Sequence, residues 1–260
     1  MQLIAITREV HSNQHWRRPP NHLFAAQQSL LPLVVSELPV DTMNFPIAFV
    51  PQGDSFVPMA VLGVKSAENL FVAPNGTWLA PYVPAAIRCY PFHLASGENG
   101  EKVLCIDADS GLLGDSGESF LQNGEPTQTL RDIINHLTQA EQARLATVKA
   151  CAALQAHNLI VPWPIAVQGE QGKQQIEGLF KIDEAALNQL PGVALADLML
   201  AGAMPLAYCQ MLSTQHLRKL GELAQLRASR LNAQAPLPTV GKDLDLSFLT
   251  AGDTLSFKNY

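Results

Sequence analysis

Residues 127–157, TQTLRDIINHLTQAEQARLATVKACAALQAH, are the stretch that decides the fold class. They contain no proline and no glycine, and their apolar residues recur at the i, i+3, i+4, i+7 spacing of one helix face. The pattern predicts one long helix after Thr127. Pro162 and Pro164 follow it, and proline cannot continue a helix because it lacks the backbone N–H.

The residues before this helix predict short strands. Residues 1–130 are dense in proline and glycine, which bound short apolar runs. We expect strands at residues 33–35, 47–50, 59–64, 69–72 and 103–106, and an extended segment at residues 78–83. Residues 51–55, PQGDS, are typical of the connection in a β-hairpin.

The residues after the helix predict a hairpin and several further helices. Strand-like runs at residues 165–167 and 175–182 flank a turn at 169–172. We expect helices at residues 184–189 (with Asp183 as N-cap), 194–201, 205–212 and 215–232, and an extended tail at 236–260. Because strands and helices are segregated, we predict the α+β class. The β part is mixed or antiparallel, and the long helix, the hairpin and the C-terminal helices pack on it.

The size and charge of the chain exclude several classes of protein. We expect one compact domain over residues 1–260, β-rich at 24–125 and helix-rich at 126–235, because 260 residues suffice to bury a large core. The net charge of −6 argues against a nucleic-acid partner. Cys89, Cys105, Cys151 and Cys209 match no zinc spacing, so we expect reduced, buried thiols.

The chain shows no pattern of a targeting or membrane segment. The apolar run near the N-terminus is too short for an export signal, which favours a cytoplasmic location. Residues 193–212 have the length of a transmembrane span, but they contain Asp197, Gly202 and Pro205. We therefore expect two buried short helices there, and no transmembrane span.

No motif in the sequence selects a reaction. The phosphate-binding glycine motifs and the G-x-S-x-G nucleophile elbow are absent, and we predict no catalytic residue and no cofactor. Ser55 with Lys65 formally resembles a serine–lysine pair, but a hairpin turn explains Ser55 better. His11, His15 and His22 lie in a proline-rich context, so we expect solvent-exposed histidines and no metal site.

The unusual segment is residues 76–92, GTWLAPYVPAAIRCYPF, which combines aromatic side chains with one arginine. Two interpretations stay open. In the first, the segment is a structural brace in which Arg88 pairs with a buried acid. In the second, Trp78, Tyr82, Arg88 and Tyr90 form a ligand-binding pocket with Arg88 as the anion anchor. The brace is the favoured interpretation.

The same segment carries a resemblance to a known family. Residues 58–64, 68–72 and 76–92 resemble the SapC family. The strand at 103–107, the loop at 123–126, residues 207–213 and the helix at 217–226 share this resemblance. The resemblance spans about residues 24–257. It implies an association with bacterial surface layers and accessory roles beside outer-membrane proteins, and it transfers no catalytic residue.

Two functional hypotheses follow from the residues and the resemblance. The first is a non-enzymatic binding or accessory protein linked to surface-layer or envelope function. The alternative is an enzyme or small-ligand-binding protein with its pocket around residues 78–92. Expected partners are a second copy of the chain, in a homodimer, and an envelope or surface-layer component. The family association keeps a location at the cell surface open beside the cytoplasmic one.

Overall fold

The structure combines several antiparallel sheets with several helices, in agreement with the α+β class. The computed structural model describes residues 2–97, 100–169 and 172–234, with only the backbone of residues 167–169, 172–175 and 231–234. The strands are β1 (Leu3–Ala5), β2 (His15–Trp16), β3 (Leu30–Pro32), β4 (Ile47–Gln52), β5 (Ser55–Val61), β6 (Phe92–Ser96), β7 (Lys102–Asp107), β8 (Leu113–Gly114), β9 (Glu118–Ser119), β10 (Leu121–Gln122), β11 (Glu125–Pro126), β12 (Ile160–Pro162), β13 (Ile165–Gly169), β14 (Gly172–Ile176) and β15 (Phe180–Ile182). The helices are α1 (Arg8–His11), α2 (Leu38–Asp41), α3 (Ala85–Arg88), α4 (Gln128–Ala156), α5 (Glu184–Asn188), α6 (Gly192–Leu200), α7 (Ala203–Ser213) and α8 (Leu217–Gln234). The tail predicted for residues 236–260 lies outside the described residues.

The main sheet has five antiparallel strands in the order β12–β15–β4–β5–β3. Its centre is the β4–β5 hairpin, in which Gln52 pairs with Ser55 across a turn at residues 53–54. Gly53 has a φ of +60° there, a conformation that glycine adopts without strain. The hairpin prediction is confirmed. Strands β12 and β15 follow the long helix in the chain, so the sheet joins the β-rich and the helix-rich regions.

Smaller antiparallel sheets surround the main one. They are the three-stranded sheets β1–β7–β6 and β8–β2–β9 and the two-stranded hairpins β10–β11 and β13–β14. The β13–β14 hairpin is the one predicted from the runs at 165–167 and 175–182, with Gly169 paired to Gly172, and residues 170–171 of the predicted turn lie outside the described residues. The run predicted at 175–182 is divided, because the chain turns at Gly178, with a φ of +76°, and residues 180–182 form β15 in the main sheet.

Helix α4 connects two hydrophobic cores. It has 29 residues and is about 43 Å long at about 1.5 Å per residue. Thr127 caps its N-terminus by accepting a hydrogen bond from the Leu130 N–H. Near this end Leu130 packs in a second core with Trp16, Phe92, Ile106 and Phe120. Near the other end Cys151 and Leu154 pack in the main core around the five-stranded sheet.

Helix α7 is tied to the main sheet by a buried glutamine. The Gln210 Oε1 accepts a 2.9 Å bond from the Ile182 N–H, and its Nε2 donates a 3.1 Å bond to the Ile47 carbonyl oxygen. Gln210 is fully buried. One side chain therefore joins strands β15 and β4 where they approach this helix.

Two predicted strands are wrong. Residues 69–72 form a turn with a single bridge between Val72 and Trp78, because the buried Asn69 side chain accepts a 2.9 Å bond from the Phe71 N–H. The strand predicted at 33–35 lies at Leu30–Pro32 instead. The Val35 N–H donates to the Thr147 hydroxyl of helix α4, which takes residue 35 away from the sheet.

The two helices predicted within residues 193–212 are confirmed, but their predicted burial is wrong on one face. Gly202, with a φ of +68°, separates α6 from α7. Val193 and Leu200 of α6 are 77% and 81% exposed. Among the described residues no single helix is long and apolar enough to cross a membrane. By length and composition alone, α6 taken together with residues 203–230 passes that test, as a pair bent by 93°.

All four cysteines lie in the described part of the chain as free thiols. Cys89, Cys105 and Cys151 are buried as expected, whereas Cys209 is half-buried. Burial raises the pKa of the Cys151 thiol to about 12.

Candidate functional site

Trp78 anchors the start of segment 76–92 on the main core. The centroid of its ring lies 6.1 Å from those of Phe45 and Phe71. Its Nε1–H donates a 2.7 Å hydrogen bond to the Tyr82 carbonyl oxygen. An indole that packs on a core needs such an acceptor, and the bond fixes the path of the chain between residues 78 and 82.

Glu37 is the acid that the brace interpretation requires. Its carboxylate accepts hydrogen bonds from the Tyr82 hydroxyl and, at 2.9 Å, from the Ala85 N–H, which begins helix α3. A third contact comes from Arg88, whose Nη2 lies 3.5 Å from Oε1. The Glu37 side chain is 12% exposed. Burial and this carboxylate raise the pKa of Tyr82, which therefore stays protonated and acts as a donor.

Arg88 is the more exposed member of this cluster. Its Nη2 also donates a 3.3 Å bond to the Tyr82 hydroxyl oxygen, and its guanidinium lies 5.4 Å from the centroid of the Tyr82 ring. The side chain is 46% exposed. Both hydrogen bonds use one nitrogen of a group that has five N–H donors. Arg88 therefore makes a structural contact and still has N–H groups that could donate hydrogen bonds to a ligand.

Arg88 and Tyr90 line a cleft of about 550 Å³, which we call the Arg88 cleft. Tyr90 stacks on Phe24 with ring centroids 4.1 Å apart and planes 7° apart. Burial, followed by the charge of Asp107, raises the pKa of Tyr90. The aromatic and basic side chains of the lining are Trp16, Phe24, Tyr90, Phe92, Arg18, Arg88, His22 and His136.

The volume and lining of the Arg88 cleft suit a small ligand. Ligand pockets commonly enclose about 300–1,000 Å³, with mostly apolar walls and a few placed polar groups. Of the described residues that line the cleft, Asp132 is an acid, against the two arginines Arg18 and Arg88. Glu118, outside the lining, bonds Arg18 at 2.7 Å. The cleft is therefore an aromatic space with an arginine at its edge.

The structure divides the four predicted site residues into two pairs. Arg88 and Tyr90 line the cleft, whereas Trp78 and Tyr82 are not in its lining and hold segment 76–92 in place. The two interpretations of the segment therefore apply to different residues: the brace to Trp78 and Tyr82, and the cleft to Tyr90, with Arg88 in both.

Comparison with family models matches residues 6–220 to SapC. The chain belongs to the SapC family. The match begins earlier and ends earlier than the resemblance at residues 24–257, and it contains every residue of the Arg88 cleft. No curated protein and no solved structure matches the chain significantly.

Several residues of the site in this SapC-family protein escaped prediction. Glu37 lies 51 residues before Arg88, and nothing local marks it as the partner. The α4 residues on the cleft were detectable in principle. Thr129, Asp132, Ile133 and His136 have the i, i+3, i+4, i+7 spacing of one helix face. The available signal was three polar residues, Thr129, Asp132 and His136, that share one helix face with Ile133.

Asp41, one turn beyond Glu37 on helix α2, is a fully buried acid. Neither carboxyl oxygen has a hydrogen-bond partner among the described residues. Burial raises its pKa to about 8, and the neighbouring charge of Glu37 acts in the same direction. A neutral Asp41 avoids placing a second negative charge beside Glu37.

Cys89 lines the cleft directly after Arg88 but is not an activated nucleophile. Burial raises the pKa of its thiol, and this effect outweighs the opposing charge of Arg88. The reactive form of cysteine is the thiolate, which a raised pKa disfavours. Cys89 therefore acts as a small apolar wall residue.

The N-terminal histidines are not arranged as a metal site within the part of the chain that the structure describes. No three His, Cys, Asp or Glu side chains there are grouped to hold a metal ion. The expectation that these histidines are solvent-exposed is wrong: His11 is 1% exposed, and His15 and His22 are half-buried. The Nδ1 of His11 accepts a 3.2 Å bond from the Thr7 N–H, and its ring packs edge-on against Phe120.

Proposed function

We propose that this SapC-family protein is a non-enzymatic binding protein that holds a small anionic ligand with an apolar body in the Arg88 cleft. The observation that carries the proposal is the position of Arg88. Its side chain is 46% exposed and lines an aromatic cleft, and its bond to Glu37 is a long one of 3.5 Å. A carboxylate or phosphate on the ligand would accept hydrogen bonds from the remaining N–H groups of the guanidinium. The apolar body of the ligand would contact Tyr90 and Phe92.

The lining supports binding more than catalysis. Burial raises the pKa of the Cys89 thiol in this lining, so Cys89 is not an activated nucleophile. The two histidines of the cleft, His22 and His136, are the feature that favours the enzyme alternative. The ligand experiment separates the two, because an enzyme would convert the bound compound.

The proposal is tested by ligand-detected NMR with benzoate, phenyl phosphate and uncharged benzyl alcohol. We expect the two anions to bind and benzyl alcohol to bind more weakly. Arg88→Gln should weaken binding of the anions about tenfold or more, because a charge-assisted hydrogen bond contributes roughly 1.5–3 kcal/mol. Arg131→Gln is the matched control, since Arg131 is exposed on helix α4 and outside the cleft lining.

Three results would contradict the proposal. Binding of the anions with equal strength to the wild type and Arg88→Gln would remove Arg88 as the anchor. Equal binding of benzyl alcohol would remove the anionic requirement. Chemical conversion of a bound probe, lost in His136→Gln, would replace binding by the enzyme alternative.

We further propose an accessory role at the cell envelope, with a surface-layer or envelope component as partner. This rests on the association of the SapC family with bacterial surface layers. Fractionation of native cells and protease shaving of intact cells test where the protein acts. We expect a protease-protected protein that co-purifies with an envelope component. Digestion on intact cells would place it in the surface coat instead.

A homodimer is part of the same proposal. Val193, Met199, Leu200 and Leu212 on helices α6 and α7 are between 63% and 81% exposed, and burial of such side chains favours association. Light scattering of the purified chain should give twice the monomer mass, and Leu200→Glu should return it to the monomer. A monomeric wild type at high concentration would contradict this.

A further inference from the structure

A second cavity, of about 610 Å³, shares two wall residues with the Arg88 cleft. Cys89 and Phe92 line both spaces and so stand between them. Helix α4, strands β3 and β5, helix α3 and strand β6 contribute the other walls. We call this space the α4 cavity.

The walls of the α4 cavity are mostly apolar. The apolar wall residues include Leu30, Leu33, Phe56, Val57, Leu94 and Leu137. Two of the polar wall residues already have protein partners. Thr147 bonds the Val35 N–H and the Ala143 carbonyl, and Glu37 has its three donors. The Nε2 of His93, a further wall residue, is buried without a partner among the described residues. Because most of the lining is nevertheless apolar, it suits an occupant with a long apolar body.

A basic cluster lies at one side of the cavity. Arg144 donates bonds of 2.7 and 2.9 Å to Glu141, and the Lys102 Nζ lies 2.9 Å from the same carboxylate. These bonds lower the pKa of Glu141 to about 2, so it is ionised at neutral pH. Two cations then share one carboxylate, which leaves one positive charge to be matched by an anionic group.

The cavity reaches the protein surface along helix α4. Arg144 and Val148 line it, and they are 51% and 41% exposed. Leu145, on the same turn, is 60% exposed. The Lys149 Nζ donates to the carbonyl oxygen of Leu200, itself a highly exposed apolar residue. Arg144 and Val148 therefore place one basic and one apolar side chain where the cavity meets the surface.

We propose that the α4 cavity binds a free long-chain carboxylate, with the alkyl chain against the apolar walls and the head group at Arg144 and Lys102. The apolar lining matches the chain, and the unmatched positive charge at the opening matches the head. The site is separate from the Arg88 cleft and holds a different class of ligand.

Displacement of fluorescent cis-parinarate from the full chain by saturated carboxylates tests the proposal. Laurate, myristate and palmitate are used below their micelle concentrations. Affinity should rise with chain length by up to about fourfold for each added methylene, the equivalent of about 0.8 kcal/mol, until the cavity is filled. Hexadecanol, which lacks the charge, should bind more weakly than palmitate. Affinity that does not depend on chain length would overturn the proposal.

Matched variants on helix α4 locate the ligand. Ala140→Trp fills the cavity and should abolish palmitate binding, whereas Ala146→Trp, on an exposed residue outside the lining, should not. Arg144→Gln should weaken palmitate about tenfold and leave hexadecanol unchanged, with Arg131→Gln as control. Circular dichroism confirms that each variant is folded. Two results would overturn the proposal. One is palmitate binding that is unchanged in Ala140→Trp, and the other is an Ala140→Trp variant that keeps its palmitate binding but changes its oligomeric state.

Two cross-tests separate this proposal from the one for the Arg88 cleft. Palmitate binding should be unaffected by Arg88→Gln, and benzoate binding should be unaffected by Ala140→Trp. Palmitate binding that depends on Arg88 would assign the fatty acid to the other site and overturn this one. Binding of the protein to phosphatidylglycerol vesicles without binding of monomeric palmitate would also overturn it, in favour of a lipid surface.

Discussion

The carboxylate of Glu37 and the guanidinium of Arg88 are 3.5 Å apart, although 51 residues separate them in the chain. Arg88 is the weakest of the three donors to this carboxylate. The Tyr82 hydroxyl and the Ala85 N–H also bond it, and both come from the same segment. Glu37 therefore organises segment 76–92, while Arg88 stays half exposed.

Because Glu37 has three donors and Arg88 is only one of them, we expect substitution of Glu37 to destabilise the protein more than substitution of Arg88. Glu37→Ala should lower the free energy of unfolding by about 2–4 kcal/mol, because it leaves the Tyr82 hydroxyl and the Ala85 N–H without an acceptor. Arg88→Gln should cost less than about 1 kcal/mol, as for most exposed ion pairs. Urea unfolding measures both. A loss in Arg88→Gln as large as that in Glu37→Ala would mean that Arg88 is chiefly structural.

The buried Asp41 predicts a pH dependence of stability. Its pKa is about 8 in the folded protein and about 3.8 in the unfolded chain. Between these values the folded state retains a proton that the unfolded state has lost. Stability therefore falls as the pH rises from about 4 to 8, because ionisation favours the unfolded chain. Asp41→Asn should remove this slope and raise stability at pH 8.

Thermal melts of the wild type and Asp41→Asn across pH 5–8 measure the difference between the two slopes. Asp132→Asn is the control, because Asp132 is exposed on helix α4. Parallel slopes for the wild type and Asp41→Asn would show that Asp41 is ionised in the folded protein.

Removal of the buried Gln210 amide should lower the free energy of unfolding strongly. Gln210→Leu has a similar volume but leaves the Ile182 N–H and the Ile47 carbonyl unpaired. We expect a loss of about 2–4 kcal/mol in the free energy of unfolding, measured in urea. Gln155→Leu is the matched control and should change stability by less than about 0.5 kcal/mol, because Gln155 is exposed. Equal effects would contradict the bridging role.

We expect substitution of two glycines by alanine to lower the free energy of unfolding by different amounts. A Cβ at Gly63 would lie 1.8 Å from the backbone oxygen of Glu68, so Gly63→Ala must move backbone and should cost about 3 kcal/mol or more. Gly53 has a φ of +60° and no atom within 4 Å of the added Cβ, so Gly53→Ala should cost about 1 kcal/mol through backbone strain alone. Urea unfolding midpoints of the two variants should keep this order.

The thiols predict a selective labelling pattern. In the native protein a chromogenic disulfide reagent should modify Cys209 first, because Cys89, Cys105 and Cys151 are buried. Four thiols should react after denaturation without reductant. Fewer than four would reveal a disulfide and contradict the free thiols of the structure, and Cys209→Ser should remove the fast phase.

The sequence by itself determined the elements whose signals are local. Helix α4 after Thr127, the β4–β5 and β13–β14 hairpins and the Asp183 cap of helix α5 all followed from periodicity and turn residues. These features depend on backbone preferences and on hydrogen bonds between near neighbours, which a single stretch of sequence contains.

Only the tertiary structure decided what happens where distant segments meet. Residues 69–72 have the composition of a strand, yet the buried Asn69 side chain forms a turn, and Arg227 of helix α8 donates to the carbonyl oxygens of residues 69 and 72. The sequence marked Arg88 and Tyr90 as unusual. Folding alone brought Phe24 and one face of helix α4 to them to form the cleft, and placed Glu37 beside Arg88. The energies of such contacts depend on burial and on partners dozens of residues away, and so no local pattern encodes them.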